Sequence, residues 1–385
     1  MRAERPAASC IIACSVAVLM GLGLVMLLSA SSIPEPGSRS IHFFRKQVAW
    51  VAIASCLIFL FSNMDYERLR GISKFLLGLS FLGLIAVFVP GLRAPYNGAY
   101  RWVDLRVVSV QPSEFARIAL IIYMADRLTR KQQRIREFFD GFLPPVLILV
   151  CAFGLIVAEP DLGGGLMTAT VLLLMLLVAG IRLAHAVPIF IVSLPFMLYF
   201  VATRLTYVLD RVTAFMDPAA HAAGKGYQIV QSLIALGSGG IDGVGLGRGM
   251  QKLWFLPEGR TDFIFAVIGE EMGFIGTTLV MGLLGVLVWQ GLMVAKKCSD
   301  MYGKLLAFGL SMAIGIQAAV NIGVATACLP PKGTSLPFVS FGGSSLLANA
   351  IAVGILIDIA SRQREEDELV GAVRLGGMPE GGRIS

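Results

Sequence analysis

Apolar residues run along most of this chain in blocks of roughly 20, the length a helix needs to cross a hydrocarbon core, with polar punctuation between them. Ten blocks stand out, at 11–30, 47–62, 71–90, 112–128, 142–158, 164–181, 184–203, 263–290, 304–328 and 344–361. Lipid offers backbone groups no partners, so each block is expected to satisfy its own as a helix. The pattern predicts an all-α integral membrane protein with ten transmembrane helices. Arg2 and Arg5 precede the first block, yet no small-residue cleavage site follows it, so it reads as a span and not as a removable leader.

Basic residues in the connections set the orientation. The exit of the fourth block carries Arg127, Arg130, Lys131, Arg134 and Arg136, that of the second Arg68, Arg70 and Lys74, and that of the eighth Lys296, Lys297 and Lys304. Even-numbered exits therefore face the cytoplasm, and so do both termini. The opposite loops also hold Arg39, Arg45, Lys46, Arg93, Arg101 and Arg106, so parity across all the spans carries the assignment.

One connection is long, 204–262 between the seventh and eighth blocks, and parity makes it extracytoplasmic. Within it "GYQIVQSLIALGSGG" places Ile229, Val230, Leu233 and Ile234 at helical spacing before terminal glycines. A helix lying on, or dipping into, the outer leaflet is expected there. Residues 1–362 thus make the membrane domain, and the charged, glycine-rich stretch 363–385 a mobile cytoplasmic tail.

Composition adds exclusions. With 56% hydrophobic and 15% charged residues the chain falls outside the soluble classes. The net charge of +7 is met by basic loops on an anionic leaflet, with no nucleic-acid module in sight. The six cysteines lack CxxC spacing and the three histidines are scattered, so neither a disulfide framework nor a His/Cys metal site is indicated. "GVGLGRG" (243–249) imitates a dinucleotide fingerprint, but it follows no strand and opens no βαβ unit. The two halves of the chain are not alike, which disfavours an inverted-repeat transporter.

Sorted by side, the polar clusters "NGAYRWVDL" (97–105), "QPSEFAR" (111–117), "EPDLGGG" (159–165), "GRTDF" (259–263) and "PPKGTSLPFVSFGGSS" (330–345) all fall outside, while the inner side offers mainly loop cations. Glu114 and Arg117 stand at i, i+3 on the fourth helix, either as a structural pair or lining a polar cavity. Glu159 and Asp161 flank Pro160 and read as a cap and turn. One of Glu270 and Glu271, two turns inside the eighth helix, is a candidate to face the same cavity. Lys332, with Ser344 among the hydroxyls that follow it, suggests a re-entrant turn or a phosphate holder. Asp262, at the mouth of the eighth helix, is either its N-cap or a reactive group. An outward-facing enzyme without nucleotide must take its driving force from an activated substrate, and a lipid-linked pyrophosphate sugar fits.

Together "NGAYRWVDL…VQPSEFAR", "EPDLGGG", "GYQIVQSLIALGSGGIDGVGLG", "QKLWFLPEGRTDFIFAVIGEEMG" and "PPKGTSLPFVSFGGSSLL" resemble the SEDS family, the FtsW, RodA and SpoVE proteins, over nearly the whole chain. "VPG" (89–91), "NGAYRW" and "PPKG" look more like the division-associated FtsW branch than the elongation-associated RodA branch. The resemblance implies a glycosyltransferase of the bacterial cytoplasmic (inner) membrane that polymerises lipid II, at the division septum for the FtsW branch. It further implies a class B penicillin-binding protein, an FtsI-like transpeptidase, as partner among other divisome membrane proteins. Asp262 matches the family's acid required for polymerisation, and Glu114 with Arg117 its charged pair. Departures are Arg117 where lysine is common, Gly-Gly after "PDLG" and Gly-Arg before "TDF".

On this reading Asp262 accepts a proton from the attacking sugar hydroxyl. The leaving pyrophosphate needs positive charge from arginine, lysine or a divalent cation such as Mg or Mn. Candidates are Arg101, Arg248, Lys252, Arg260 and Lys332. Substrate-binding residues are expected at Arg101, Glu114, Arg117, Lys252, Lys332 and Ser344. A lipid II flippase, a RodA-type elongation (cell shape) polymerase and a division scaffold are the rival readings.

Overall fold

The computed structural model describes residues 8–30, 39–96, 99–104, 106, 109–182, 184, 213, 215–218, 220, 221, 224, 226–251, 256 and 258–376. Side chains are described within these limits from 8 to 29, 43 to 92 and 101 to 364. Residues 185–203 of the predicted seventh span, 184–203, and Lys252 lie outside the described residues.

Among the described residues ten α-helices dominate: α1 (Ala8–Ala30), α2 (Arg39–Ser62), α3 (Tyr66–Ala86), α4 (Pro112–Arg130), α5 (Leu143–Ala158), α6 (Leu162–Val178), α7 (Tyr227–Gly239), α8 (Ile264–Lys297), α9 (Met301–Ala325) and α10 (Gly343–Gly376). Seven of the described helices, α1, α2, α3, α5, α8, α9 and α10, are long and apolar enough to cross a membrane. Charges interrupt α4 and α6 is shorter, but both fall where spans four and six are expected. The chain is a multi-pass membrane protein built almost wholly of helices.

At the centre stands α9, whose Leu305, Leu306, Ala307 and Leu310 are shut off from the exterior. It packs against α4, α6, α8 and α10, and α2 runs beside α10. By contrast Phe59, Phe75 and Leu82 on α2 and α3 point outward, as a lipid-facing surface requires.

Four features depart from the sequence expectations. First, β1 (Arg93–Tyr96), β2 (Ala99–Asp104) and β3 (Ser109–Val110) form an antiparallel sheet in the order β1-β2-β3. Aromatic and β-branched residues in "AYRWV" favour strand over helix, and Val103 is the buried side of that alternation. Second, α10 does not stop at residue 362 but continues to Gly376. The i, i+4 pair Asp358–Arg362 and the good helix formers of "QREEDEL" carry it on into the stretch expected to be the tail. Residues 377–385 lie outside the described residues.

Third, α8 is broken. Gly273 has φ 63° and ψ −160°, a conformation only glycine takes without strain. The backbone amides of Phe274 and Ile275 turn to the carbonyls of Gly240 and Ile241, and the amides of Val244 and Gly245 bond to the carbonyls of Glu270 and Glu271. The segment after α7 therefore reaches the level of Gly273, three turns below the mouth of α8, and supplies the partners that irregular backbone needs within a membrane. This is what "GVGLGRG" does in the fold.

Fourth, the end of the bundle opposite Asp262 is more than loop cations. Asp126 is buried and accepts from Arg70 Nε (3.1 Å), Ser73 Oγ (2.9 Å) and Arg130 Nε (2.7 Å). Asp358 accepts from the Tyr66 amide (2.9 Å) and from Arg362 Nε (3.0 Å). Arg70 lies over the Tyr302 ring at 5.7 Å. These contacts tie α3, α4, α9 and α10 together.

Candidate active site

The chain approaches Asp262 through a tight turn. Glu258 takes a left-handed φ of 57°, and its carbonyl accepts from the amides of Thr261 (3.0 Å), Asp262 (3.1 Å) and Phe263 (3.2 Å). The first helical residue of α8 is Ile264, its N-cap position is Phe263, and no side chain caps it. The N-cap reading of Asp262 is therefore wrong. The turn closes one residue before the helix begins, which leaves the carboxylate free of the first-turn amides.

That carboxylate faces the connection between α9 and α10 instead. A Cβ built on Gly333 would lie 2.6 Å from Asp262 Oδ2, so the glycine of "PPKG" is what lets the loop come this close. Two further contacts pin the loops together. Asn321 Nδ2 on α9 donates to the Asp262 carbonyl (2.8 Å) and also to that of Thr334, and the Ser340 hydroxyl donates to the carbonyl of Thr261. The Phe341 amide adds a bond to the Arg260 carbonyl (3.0 Å).

Electrostatically the site is unbalanced. Burial pushes the Asp262 carboxyl up to about 7, and the nearby Glu258 pushes the same way against the cations Lys332 and Arg101. Lys332 is brought down to about 8, chiefly by burial, with Asp161 and Glu114 working to keep it charged. Among the described residues its Nζ has no hydrogen-bond partner, and its stem lies across the start of α6, where a Cβ on Gly163 would meet Lys332 Cε at 2.1 Å. A buried ammonium without a partner is costly unless an anion completes it.

Arg101 reaches in from β2, donating to the Pro160 carbonyl with its other amino group 3.9 Å from Asp161 Oδ1. Asp161 caps α6 by accepting from the Gly164 amide (2.9 Å). Glu159, fully buried with both oxygens unpartnered, is raised to about 8, first by burial and then by Asp161, with Arg101 opposing.

Glu114 and Arg117 do pair, at 2.6 Å, and the guanidinium also donates to Gln317 Oε1 (2.8 Å). Gln317 Nε2 in turn donates to the Ser335 carbonyl (2.9 Å) and to Ser345 Oγ (2.9 Å). Gln317 and Asn321 stand at i, i+4 on α9. One rail therefore joins the Glu114–Arg117 pair, the loop that bears Lys332, and Asp262. Sequence reasoning missed both amides, and the signal was present as two large polar residues one turn apart in an otherwise apolar helix.

Other candidates separate from the site. Ser344 Oγ is taken by the Gln111 amide (3.0 Å) at the start of α4, a link between helices. Arg260 lies over the Phe43 ring at 5.3 Å, and Arg248 is exposed on the segment after α7. Glu270 and Glu271 are buried and engaged by the backbone, Glu270 accepting from the amides of Met250 and Gln251 and Glu271 from the Ser29 hydroxyl and the Gly247 amide. Among the described residues no three His, Cys, Asp or Glu side chains group as metal ligands.

This geometry has counterparts. The model of a cell cycle protein family named for FtsW, RodA and SpoVE matches residues 9–365. A probable peptidoglycan glycosyltransferase FtsW of Trichlorobacter lovleyi is 41% identical over 350 residues, 90% of this chain and 91% of that protein. Stage V sporulation protein E of Bacillus subtilis is 39% identical over 349 residues, 90% of this chain and 95% of its own length. Among solved structures, a chain from work on "structural coordination of polymerization and crosslinking by a peptidoglycan synthase complex" superposes with a TM-score of 0.74 at 27% identity, covering 91% of this chain and 97% of that one. The rod shape determining protein RodA of Thermus thermophilus gives 0.64 at 25% identity, covering 91% and 96%. By sequence and by fold, this chain belongs to the family of FtsW, RodA and SpoVE.

Proposed function

We propose that this chain is a peptidoglycan glycosyltransferase that polymerises lipid II on the outer face of the bacterial cytoplasmic membrane, with Asp262 as general base. The observation that carries the reading is a half-buried carboxylate freed from helix capping, raised by desolvation to a pKa of about 7, and within electrostatic reach of a lysine whose ammonium lacks a partner among the described residues. The family membership and the names of the relatives support the reaction class. The resemblance of its motifs to FtsW, and the FtsW name of a 41% identical relative, support a role at the division septum.

Chemically, a sugar hydroxyl of one lipid-linked disaccharide attacks the anomeric carbon of another. The C–O bond to pyrophosphate breaks, the leaving group keeps the electron pair, and Asp262 takes the hydroxyl proton. Inverting displacement of this kind needs one base and no enzymic nucleophile. A base whose pKa lies near the working pH is the efficient choice, contributing roughly 10²–10⁴-fold. Lys332, with Arg101 beside it, supplies positive charge for the departing pyrophosphate. Glu114 and Arg117 hold the α4 side of the site through Gln317. A divalent cation would have to share these carboxylates with Lys332 and Arg101, so the protein's own cations are given the charge-neutralising role.

The transpeptidase partner is taken to be a class B penicillin-binding protein, in keeping with the structural likeness to a chain of a peptidoglycan synthase complex. Purified chain with that partner and labelled lipid II provides the test. Wild type should build glycan strands and Asp262→Ala should not. Equal polymerisation by the two would overturn the assignment.

A further inference from the structure

The reaction above uses neither Glu270 nor Glu271, yet both are buried carboxyls two turns below Asp262 on α8. Burying a carboxylate for core filling alone is a poor choice, and their partners show a different use. Glu271 accepts from Ser29 Oγ on α1 (2.6 Å) and from the Gly247 amide (3.2 Å), fixing the segment after α7 where it meets the break at Gly273. Glu270 accepts from the amides of Met250 (2.6 Å) and Gln251 (3.1 Å), where the chain starts back outward.

From Glu270 a string of hydrogen bonds leads to Asp262. The Gln251 carbonyl accepts from the Leu256 amide (2.9 Å), the Leu256 carbonyl from that of Gly259 (3.3 Å), and the Glu258 carbonyl from that of Asp262 (3.1 Å). Gly249 packs so close that a Cβ on it would meet Glu270 Oε2 at 2.8 Å, so the return segment is seated against the carboxylate as well as bonded to it. Helix α8 thus grips, with a residue two turns down, the stretch of chain that delivers its own N-terminus. Bonds to an ionised acceptor are about twice as strong as neutral ones, which suits an anchor that must hold irregular backbone in register.

Resting on the reading of Asp262 as base, we propose that Glu270 is a positioning residue, setting the place of Asp262 through Met250, Gln251, Leu256 and the turn at 258–262 without touching substrate. Loosening the anchor displaces Asp262 relative to Gly333 and opens it further to water. The charged groups that act on Asp262 are Glu258 from the return segment, Lys332 from the connection between α9 and α10, and Arg101 from β2. Glu258 shares the tight turn with Asp262 and moves with it. Burial is the largest influence on the Asp262 carboxyl, so hydration takes it down from about 7 toward the ordinary range.

Glycan synthesis by the full chain with its partner is followed as kcat, KM for lipid II and pH profile, for wild type, Glu270→Gln, Glu270→Asp and Asp262→Asn, alongside thermal unfolding in detergent. Glu270→Gln is expected to lower kcat about 10–100-fold, the scale of an ångström-sized misplacement, with KM nearly unchanged and the acid limb moved to lower pH. Glu270→Asp, which keeps the charge and shortens the reach, should fall between it and wild type and serves as the test if Glu270→Gln does not fold. A lower unfolding temperature with unchanged kcat per folded molecule and an unmoved acid limb would overturn the proposal and leave Glu270 as a stabilising residue. Asp262→Asn that polymerises like wild type would overturn the reading of Asp262 itself, and the positioning role with it.

Discussion

Asp262 and Asp126 sit at opposite ends of the same bundle, and their surroundings are opposed as well. Asp126 has two guanidinium partners and a hydroxyl, all within 3.1 Å. Asp262 faces a loop glycine, with the Lys332 ammonium in electrostatic reach, and it shares its end of the bundle with Glu159; among the described residues neither that ammonium nor the Glu159 oxygens have a partner. A fully satisfied buried network holds helices in place and specifies one packing. An incompletely satisfied one stores electrostatic demand that a substrate can meet, and perturbed carboxyls gather where chemistry is done. The two aspartates teach that burial and charge alone do not separate a structural acid from the base proposed for Asp262, and that the partners each carboxylate keeps are what differ.

The comparison can be broken by exchanging roles. Asp262→Asn should reduce polymerisation by roughly two to four decades, the worth of a general base, while unfolding in detergent stays close to wild type because no helix cap is lost. Asp126→Asn should do the reverse, leaving glycan synthesis per folded molecule unchanged. Its cost in stability is about 1–2 kcal/mol, modest because Arg70 and Arg130 are 38% and 53% exposed and can turn to water.

Gln317→Ala sharpens the comparison from within the site. It strips the buried Arg117 of its second acceptor and unties the loop bearing Lys332, at about 1–3 kcal/mol for the unsatisfied groups. Both unfolding and turnover should suffer, whereas Asp126→Asn moves only the first. Ser344→Ala should have the smallest effect, about 1 kcal/mol or less for one bond to the Gln111 amide. Lipid II affinity that collapses in Ser344→Ala would contradict its removal from the site.

Much of this was legible in the sequence because it is local. Apolar blocks gave the spans that the described helices occupy, and motif residues such as Asp262, Lys332, Arg101 and the Glu114–Arg117 pair do converge at one end. What stayed hidden is non-local. Gln317 matters because it meets Arg117, 200 positions away, and Asn321 because it meets the carbonyl of Asp262, 59 positions away. Helical periodicity carries no information about either meeting. The break at Gly273 was hidden for the same reason, since one glycine in an apolar run reads as helix until another segment supplies backbone partners. Asp262 shows the converse failure. Its residue type and place suited an N-cap as well as a reactive group, but the turn at Glu258 puts the N-cap position one residue on, at Phe263.

The pH dependence of glycan synthesis under single-turnover conditions, with saturating lipid II, tests the central claim most directly. If Asp262 must be ionised to accept the hydroxyl proton, the wild-type rate falls about tenfold per unit below pH ~7. It should fall again above pH ~8 as Lys332 loses its proton. The residual rate of Asp262→Asn should be flat through the acid limb and keep the alkaline one. An acid limb that persists unchanged in Asp262→Asn would contradict the account.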